Sequence, residues 1–251
     1  MRSLFSQANI PSLIEWALEN DRFELFYQTI RPMDETARRP MRELLVRIRD
    51  DEDALIMPGR FIPTAERIGL APKIDLHVLE KAIGYLQDGR FGRDCHVSVN
   101  LSGGSLHSEN FRGELIRQVE DADLAVASRL CFEITETAAI KDIRNTSKFT
   151  KELQKRNAIV ALDDFGAGAS SFNYLREIDT DIIKIDKSYV SELGKSRVSD
   201  AVLDAFIRVA KAGDLQTVAE GVERPETLRK LVSAGVTFAQ GYYIHEPEPV
   251  A

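Results

Sequence analysis

Short apolar runs that finish on a polar or charged side chain recur along this chain, and they constrain its fold more than any other feature. Seven stretches share the pattern: Glu43 in MRELLVRI, Asn100 in HVSVNLS, Glu133 in LCFEITE, Asp163 and Asp164 in IVALDDFG, Lys184 in DIIKIDK, Glu220 in TVAEGVE and Gln240 in FAQGYY. An apolar run of this length reads as a buried strand. A carboxylate or ammonium at its end is costly unless something pairs with it. Recurrence implies that the strands converge and that their polar ends share one oxygen-rich site suited to a metal.

Each residue alone has an ordinary explanation. A strand-end Asp or Glu commonly caps a helix or forms an ion pair. Glu133 and Glu136 in EITE would be unremarked on a solvated edge, Lys184 could snorkel to the surface, and Gln240 could bond a loop. Surface groups have no reason to recur at the same place on successive strands, so the set as a whole points to a site.

The order of elements supports convergence. FELFYQTI (from Phe23) and MRELLVRI (from Met41) read as strands, and their polar, Pro- and Arg-bearing connection lacks a helical period. Strands joined without a crossover helix are usually antiparallel. The pattern then becomes regular. Helical spacing over Ile62–Ile68 and Ile74–Leu86 precedes the strand HVSVNL, and a helix with Phe111, Leu115 and Val119 on one face precedes LCFEIT. A helix around Phe149 and Leu153 precedes IVALDD, and a short one near Tyr174 precedes DIIKID. The helix carrying Val202, Phe206 and Val209 leads to QTVAE, and the last, with Leu228, Leu231 and Val232, stops at Gly235 before TFAQGYY. Eight strands, mostly alternating with helices, predict an α/β fold: a modified TIM (β/α)8 barrel with one antiparallel strand near the start. A doubly wound open sheet is the alternative, disfavoured because no Gly-rich phosphate loop follows the first strand.

Composition permits this. The 251 residues fit one barrel of about 250, and 43% hydrophobic with 29% charged residues suits a globular domain with a sizeable core. The net charge of −7 argues against DNA or an anionic membrane as partner, so a phosphate substrate would need local positive charge from metal ions or a few Arg and Lys. Cys95 and Cys131 read as buried reduced thiols. MRSLFSQANIPS lacks a signal-peptide core, and no run approaches a membrane span of about 20 residues. A soluble, cytoplasmic protein is expected.

In a barrel the C-terminal ends of the strands share one mouth. Asn100, Glu133, Asp163, Asp164 and Glu220 would meet there, while Glu43 falls inside its strand. Hard oxygen ligands suit Mg²⁺ or Mn²⁺, and adjacent aspartates can serve two metals about 3.5–4 Å apart. Lys184, between isoleucines, needs ionic partners.

From Leu13 to Pro247 the chain resembles the EAL family of cyclic di-GMP phosphodiesterases, through FYQTI, RELLVRI, FIPTAERIG, VSVNLS, FEITET, ALDDFGAGASSF, IKIDKSYV, VAEGVE and QGYYI in order. The resemblance implies a domain over residues 13–247, with a tail or linker remnant at 1–12 and a C-terminal tail at 248–251. It implies that Glu43, Asn100, Glu133 and Asp163 hold one metal, and that Asp163 bridges to a second held by Asp164 and Glu220. Glu43, Asp163, Asp164, Glu220 and Lys184 would be the catalytic set, Lys184 assisting the nucleophilic water. Gln28, Arg47, Asp186 and Gln240 match the substrate side of the site, Gln240 also supporting metal-bound water. Glu136 and the DDFGAGASS stretch resemble a loop thought to couple the metal site to a homodimer interface; Phe172 and Tyr174 are candidate exposed groups there, the alternative being that both pack into the monomer's own core.

The implied activity is a two-metal, in-line hydrolysis of cyclic di-GMP to linear pGpG using Mg²⁺ or Mn²⁺, with Ca²⁺ inhibitory. The alternatives are a catalytically silent receptor for cyclic di-GMP and a hydrolase of another phosphodiester. An upstream sensor or GGDEF domain in a longer parent chain is a further expected partner. Departures from the family pattern leave every ligand in place. The signature reads Glu-Leu-Leu, Thr29 replaces a usual proline, RDDEDALIMPGR is an alternative loop, and Ala167 and Ala169 replace a frequent Thr and Tyr.

Overall fold

In the computed structural model, which describes residues 9–33, 39–167 and 172–250, the strands close into a ring. Helix α1 (Ile10–Glu19) leads into β1 (Phe23–Pro32), β2 (Met41–Arg49) and the short β3 (Leu55–Ile56). Then come α2 (Pro58–Ile68), α3 (Ala71–Gln87), β4 (His96–Leu101), α4 (Gly103–Leu106), α5 (Glu109–Asp121), α6 (Leu124–Ala127) and β5 (Leu130–Thr135). Helices α7 (Glu136–Lys141) and α8 (Ile143–Gln154) precede β6 (Ile159–Phe165), and a 3₁₀ turn over Phe172–Arg176 precedes β7 (Ile182–Ile185). The chain finishes through α9 (Lys187–Ser191), α10 (Arg197–Ala212), β8 (Gln216–Ala219), α11 (Pro225–Ala234), β9 (Phe238–Ala239) and β10 (Glu248–Pro249).

Strands β2 and β4 to β9 run parallel, and β1 closes the ring by pairing antiparallel with both β2 and β9. This is the expected eight-stranded barrel with one reversed strand; β3 and β10 lie outside the count of eight. The ring differs from the sequence reading mainly at its ends. Helix α1 begins at Ile10, inside the stretch read as a tail, because Leu13, Ile14 and Ala17 form a buried face on it. Residues 248–250 are likewise not a free tail: β10 pairs with Phe26 and Tyr27 of β1 where β9 has ended. The early tail (residues 1–8), most of the β1–β2 connection (34–38), Ala169 and residue 251 lie outside the described residues.

Side chains alternate across a strand with period two, and the barrel uses both faces. Outward-facing Val97, Val99, Phe132, Ile134, Val160, Leu162, Ile183 and Ile185 pack beneath the helices. Inward-facing Ile30, Met41, Cys131, Ile159, Ala161, Ile182, Val218 and Phe238 form a separate apolar plug. Two faces buried in this way explain why the strands read as almost continuous apolar runs. Both cysteines are buried and neither is in a disulfide, as expected. On α10 the buried face is Leu203, Phe206, Ile207 and Ala210, a residue round from the expected stripe. On α11 only Leu231 is fully buried and Val232 is exposed, with the αL cap at Gly235 as expected. Among the described residues no helix is long and apolar enough to cross a membrane.

The close of the barrel depends on Gly241. A Cβ there would sit 2.2 Å from the Val222 nitrogen and 2.3 Å from its carbonyl oxygen, both rigid backbone. Gly241→Ala should therefore destabilise the protein by at least about 1–3 kcal/mol, the range for overpacking a filled interior. Urea denaturation followed by circular dichroism checks this; a change under about 0.5 kcal/mol, as at an ordinary surface position, is the contrary outcome.

Candidate active site

Two residues along from the plug, on every strand but one, stands a polar group. Met41 is followed by Glu43, Cys131 by Glu133, Ala161 by Asp163, Ile182 by Lys184, Val218 by Glu220 and Phe238 by Gln240. On the reversed strand β1 the order inverts, and Gln28 precedes Ile30. The period-two alternation thus stacks a polar layer on the apolar one, at the C-terminal side of the parallel strands. Asn100 lies two residues beyond the buried Ser98 on β4, opposite Glu133 of β5, and is exposed.

Lys184 is the centre of that layer. Its Nζ lies 2.6 Å from Glu133 Oε2, 2.7 Å from Glu220 Oε1, 3.1 Å from Asp163 Oδ1 and 3.5 Å from Glu43 Oε2. At 1% exposure it does not snorkel. Burial opposes its charge, but the surrounding carboxylates, Glu133 first, raise its pKa well above the usual lysine value. At an effective dielectric of about 20, each charge at about 4 Å contributes roughly 4 kcal/mol. Several such partners outweigh a desolvation cost of several kcal/mol for one ion. The carboxylates respond in the opposite sense. Burial, reinforced by Glu43, raises Glu133 well above the ordinary carboxylate value. Burial also lifts Glu220 to about 7, with Asp163 and Glu43 adding to the shift and Lys184 opposing it.

Glu43 is held by amides. Asn100 Nδ2 donates to its Oε1 at 2.7 Å and Gln240 Nε2 to its Oε2 at 2.6 Å. Gln240 Nε2 also lies 3.0 Å from Gln28 Oε1, and Gln28 Nε2 donates to the His245 carbonyl at 2.8 Å. Glu43 lies inside its strand because register, and not strand end, sets its height: it pairs with Gln28 across β1 and with Ser98 across β4.

Adjacent residues on a regular strand face opposite ways, so Asp163 and Asp164 need an irregularity to share a site. The β6–β7 pairing shifts register between Leu162 and Phe165, and Asp164 takes a left-handed φ of 54°. A bulge of this kind re-aims a side chain, and Asp tolerates positive φ better than most residues. The result groups Asp163, Asp164 and Glu220, with one carboxylate oxygen from each all within 4.8 Å of one another. Burial, with Asp163 and Asp186 nearby, raises the Asp164 pKa. Asp163 Oδ1 is buried and has the Lys184 ammonium beside it at 3.1 Å. Carboxylate oxygens that outnumber the one ammonium among them are a donor set that fits hard divalent cations.

The remaining expected residues fall nearby in different roles. Arg47 lies four residues beyond Glu43 on β2, its guanidinium 3.6 Å from the centre of the Phe26 ring. Asp186 caps α9 through the Ser188 N–H at 3.0 Å. Glu136 is buried, accepting from Gly166 N at 3.0 Å and from the Tyr174 hydroxyl at 2.8 Å. Tyr174 is therefore a core residue, contrary to its expected exposure, because its hydroxyl has a buried acceptor. Phe172 is 39% exposed while stacking on Phe165.

Sequence reasoning missed three supports. Asp75 on α3 is buried, accepts from Ser102 N at 2.8 Å behind Asn100, and is pushed by burial to about 6, against hydrogen bonds from Ser105 and Ser102. Tyr189 donates to the Gly166 carbonyl at 2.8 Å. His245 Nδ1 accepts from the Thr29 N–H at 3.4 Å, a donation that the usual proline could not make. Asp75 left a signal, a carboxylate on the apolar face of a predicted helix; the other two left none.

The family model that matches is the EAL domain, over residues 13–247. The chain is 35% identical to the cyclic di-GMP phosphodiesterase PdeB of Shewanella oneidensis, over 100% of this chain and 30% of that one. The chain spans about a third of the length of the curated relatives it matches. Among solved structures, the FimX EAL domain from Pseudomonas aeruginosa bound to c-di-GMP superposes with a TM-score of 0.86 at 25% identity, over 96% of this chain and 97% of that one. The PaMucR phosphodiesterase in complex with c-di-GMP gives 0.83 at 27% identity, over 96% and 98%.

Two outcomes follow from the ion cluster. Lys184→Met leaves a buried carboxylate without its ionic partner, and in metal-free protein at pH 8 should cost about 3–5 kcal/mol. Urea denaturation in chelator measures it; a loss below about 0.5 kcal/mol would mark a solvated lysine. The second concerns pH. Glu220 titrates at about 7 in the folded protein, against roughly 4.3 unfolded. Between these values the folded state keeps a proton that the unfolded chain has released. Its contribution to stability is therefore full below about pH 4 and is lost as pH rises through about 7. Metal-free wild type should show that decline relative to Glu220→Gln; parallel profiles for the two would contradict it.

Proposed function

The chain belongs to the EAL domain family, and from that membership we propose that it hydrolyses cyclic di-GMP to linear pGpG. The observation that carries the proposal is the grouping of Asp163, Asp164 and Glu220 beside a Lys184 ammonium at the barrel mouth. Asp163, Asp164 and Glu220, with Glu43, Asn100 and Glu133, would hold two divalent ions, Mg²⁺ or Mn²⁺. When bound, such ions acidify an attacking water and stabilise charge on the attacking and leaving oxygens.

The chain's own residues account for the rest. Arg47 can present two parallel N–H groups to a phosphate, at the rim above Glu43, and its seat on Phe26 limits its freedom before substrate arrives. The Gln240 amide donates to Glu43 and to the Gln28 carbonyl oxygen, so Gln28 steadies Glu43 through Gln240. Lys184 is a fixed cation among the carboxylates, placed to orient the attacking water and hold negative charge as it develops. In the reaction a water oxygen forms a bond to one phosphorus in line, the bond to the 3′ oxygen breaks, and that oxygen takes up a proton.

The relatives' greater length supports a domain that acts within a larger chain, and the S helix-GGDEF-EAL structure of Vibrio cholerae LapD supports a GGDEF or sensor domain upstream; the proposed setting is the cytoplasm. Phe172 lies partly exposed beside the Gly166 turn and supports a homodimer at that face. Sedimentation across a dilution series, read beside specific activity, tests it: a monomer equally active at every concentration removes the coupling.

The test of function is incubation with cyclic di-GMP and chromatography of the products. pGpG should form with Mg²⁺ or Mn²⁺, stop with chelator, and be suppressed by Ca²⁺, whose longer bonds and looser geometry suit an in-line displacement poorly. Glu43→Ala should abolish turnover with an unchanged circular dichroism spectrum. Tight binding with no product at saturating metal would make the protein a receptor, and cleavage only of other phosphodiesters would reassign the substrate.

A further inference from the structure

We propose that Tyr189 is a positioning residue, and that its hydroxyl holds Asp163 and Asp164 at the geometry needed to ligate metal; the inference rests on the metal-dependent reading above. The bulge that turns both aspartates into the mouth is followed at once by a turn that is fixed from several sides. Ala167 N donates to the Asp164 carbonyl at 3.1 Å, closing the turn, and Asp186 N donates to the Phe165 carbonyl at 3.3 Å. Gly166, at φ 93°, then has both backbone groups taken by side chains from different elements. Its N–H goes to Glu136 at the start of α7, and its carbonyl accepts from Tyr189 on α9.

The packing leaves this peptide little room. A Cβ on Gly166 would come within 2.6 Å of the Phe206 ring and 2.9 Å of the Tyr189 ring. Tyr189 stands edge-on to Phe206 with centroids 5.0 Å apart, and Phe206 in turn packs edge-on against Phe165 at 5.1 Å. The tyrosine ring is thus placed by aromatic packing, and its hydroxyl is directed at one carbonyl.

Asp164 lies two residues before that carbonyl in an αL conformation that L-residues disfavour. What keeps it there must be the fixing of its neighbours, since the alternative backbone would swing one aspartate to the other face of β6. Glu136 anchors the N–H side of Gly166; Tyr189 anchors the carbonyl side. Neither touches the region a metal would occupy, so both act through the aspartates. Partners that orient ligands in this way are typically worth about 10–100-fold in metal affinity or activity.

Tyr189→Phe removes one oxygen and keeps the ring contacts. Calorimetric titration of chelator-treated protein with Mn²⁺ should show affinity weakened at least about 10-fold. Steady-state kinetics should show kcat reduced at limiting Mn²⁺, KM for the cyclic dinucleotide unchanged, and kcat restored by excess Mn²⁺. Unchanged Mn²⁺ affinity overturns the inference, including the case where only the melting temperature falls, which would make the hydroxyl a plain strut. A variant that fails to fold overturns it as well, since the oxygen would then serve the fold and not ligand placement. A wild-type chain that binds no Mn²⁺ overturns the proposed function and this inference together, whereas equal affinities in an active wild type and variant overturn this inference alone.

Discussion

Everything at the mouth of this barrel is arranged about one buried ammonium. Four carboxylates within 3.5 Å of Lys184 Nζ would repel one another in a space with little water, and the lysine would lose its charge without them. Each side of the cluster therefore requires the other. The barrel supplies the means, because closed parallel strands bring side chains from β2, β5, β6, β7 and β8 to one level. Helix packing outside and the apolar plug beneath hold that level fixed. A ring of long side chains on loops would not keep four negative charges at these distances.

Departures from regularity sit where regular strands would fail. A regular β6 would place only one of Asp163 and Asp164 in the mouth; the register shift and the αL backbone at Asp164 bring in both. A parallel β1 would present its residues at a different height, whereas reversal puts Gln28 opposite Glu43 and within reach of Gln240. The returning C-terminal segment then covers the face of β1 that β9 leaves open. It contributes the His245 carbonyl to Gln28 and the His245 ring to the Thr29 N–H and the Tyr27 face. Thr29 in place of the usual proline thus has a physical counterpart in this chain.

The polar layer was legible in the sequence because strand periodicity forces it. Most site residues follow a plug residue by two positions, and on β1 Gln28 precedes it, so the tripeptides MRE, CFE, ALD, IIK, VAE and FAQ, with QTI in reverse, carry the interior of the barrel in order, Asn100 and Asp164 standing outside the rule. The short helices α4, α6, α7 and α9 and the strands β3 and β10 were not legible, since two to six residues do not establish a period. Helix α1 was missed for another reason: its buried Leu13, Ile14 and Ala17 follow a polar start that reads as tail. The expected exposure of Tyr174 failed because hydrophobicity says nothing of where a hydroxyl finds its acceptor; Glu136, thirty-eight residues earlier in the chain, settled it. The supports Tyr189 and His245 were hidden by the same limit, as each acts through one polar atom on a distant segment.

The energetics favour a chemical reason for this layer over a structural one. A buried ion cluster is weak evidence for stability, since apolar residues of similar volume often stabilise as well or better. The plug just beneath shows that the barrel can fill its interior with Ile, Met, Val and Phe. Raised carboxylate pKa values at Glu133 and Glu220 mean that folding works against their charge, and the positive φ at Asp164 adds backbone strain at the same place. These costs fall together on the residues that gather at the mouth, while the helices and plug supply the compensating burial. Concentrated strain and perturbed titration in one cleft are the marks of a site kept for what it does.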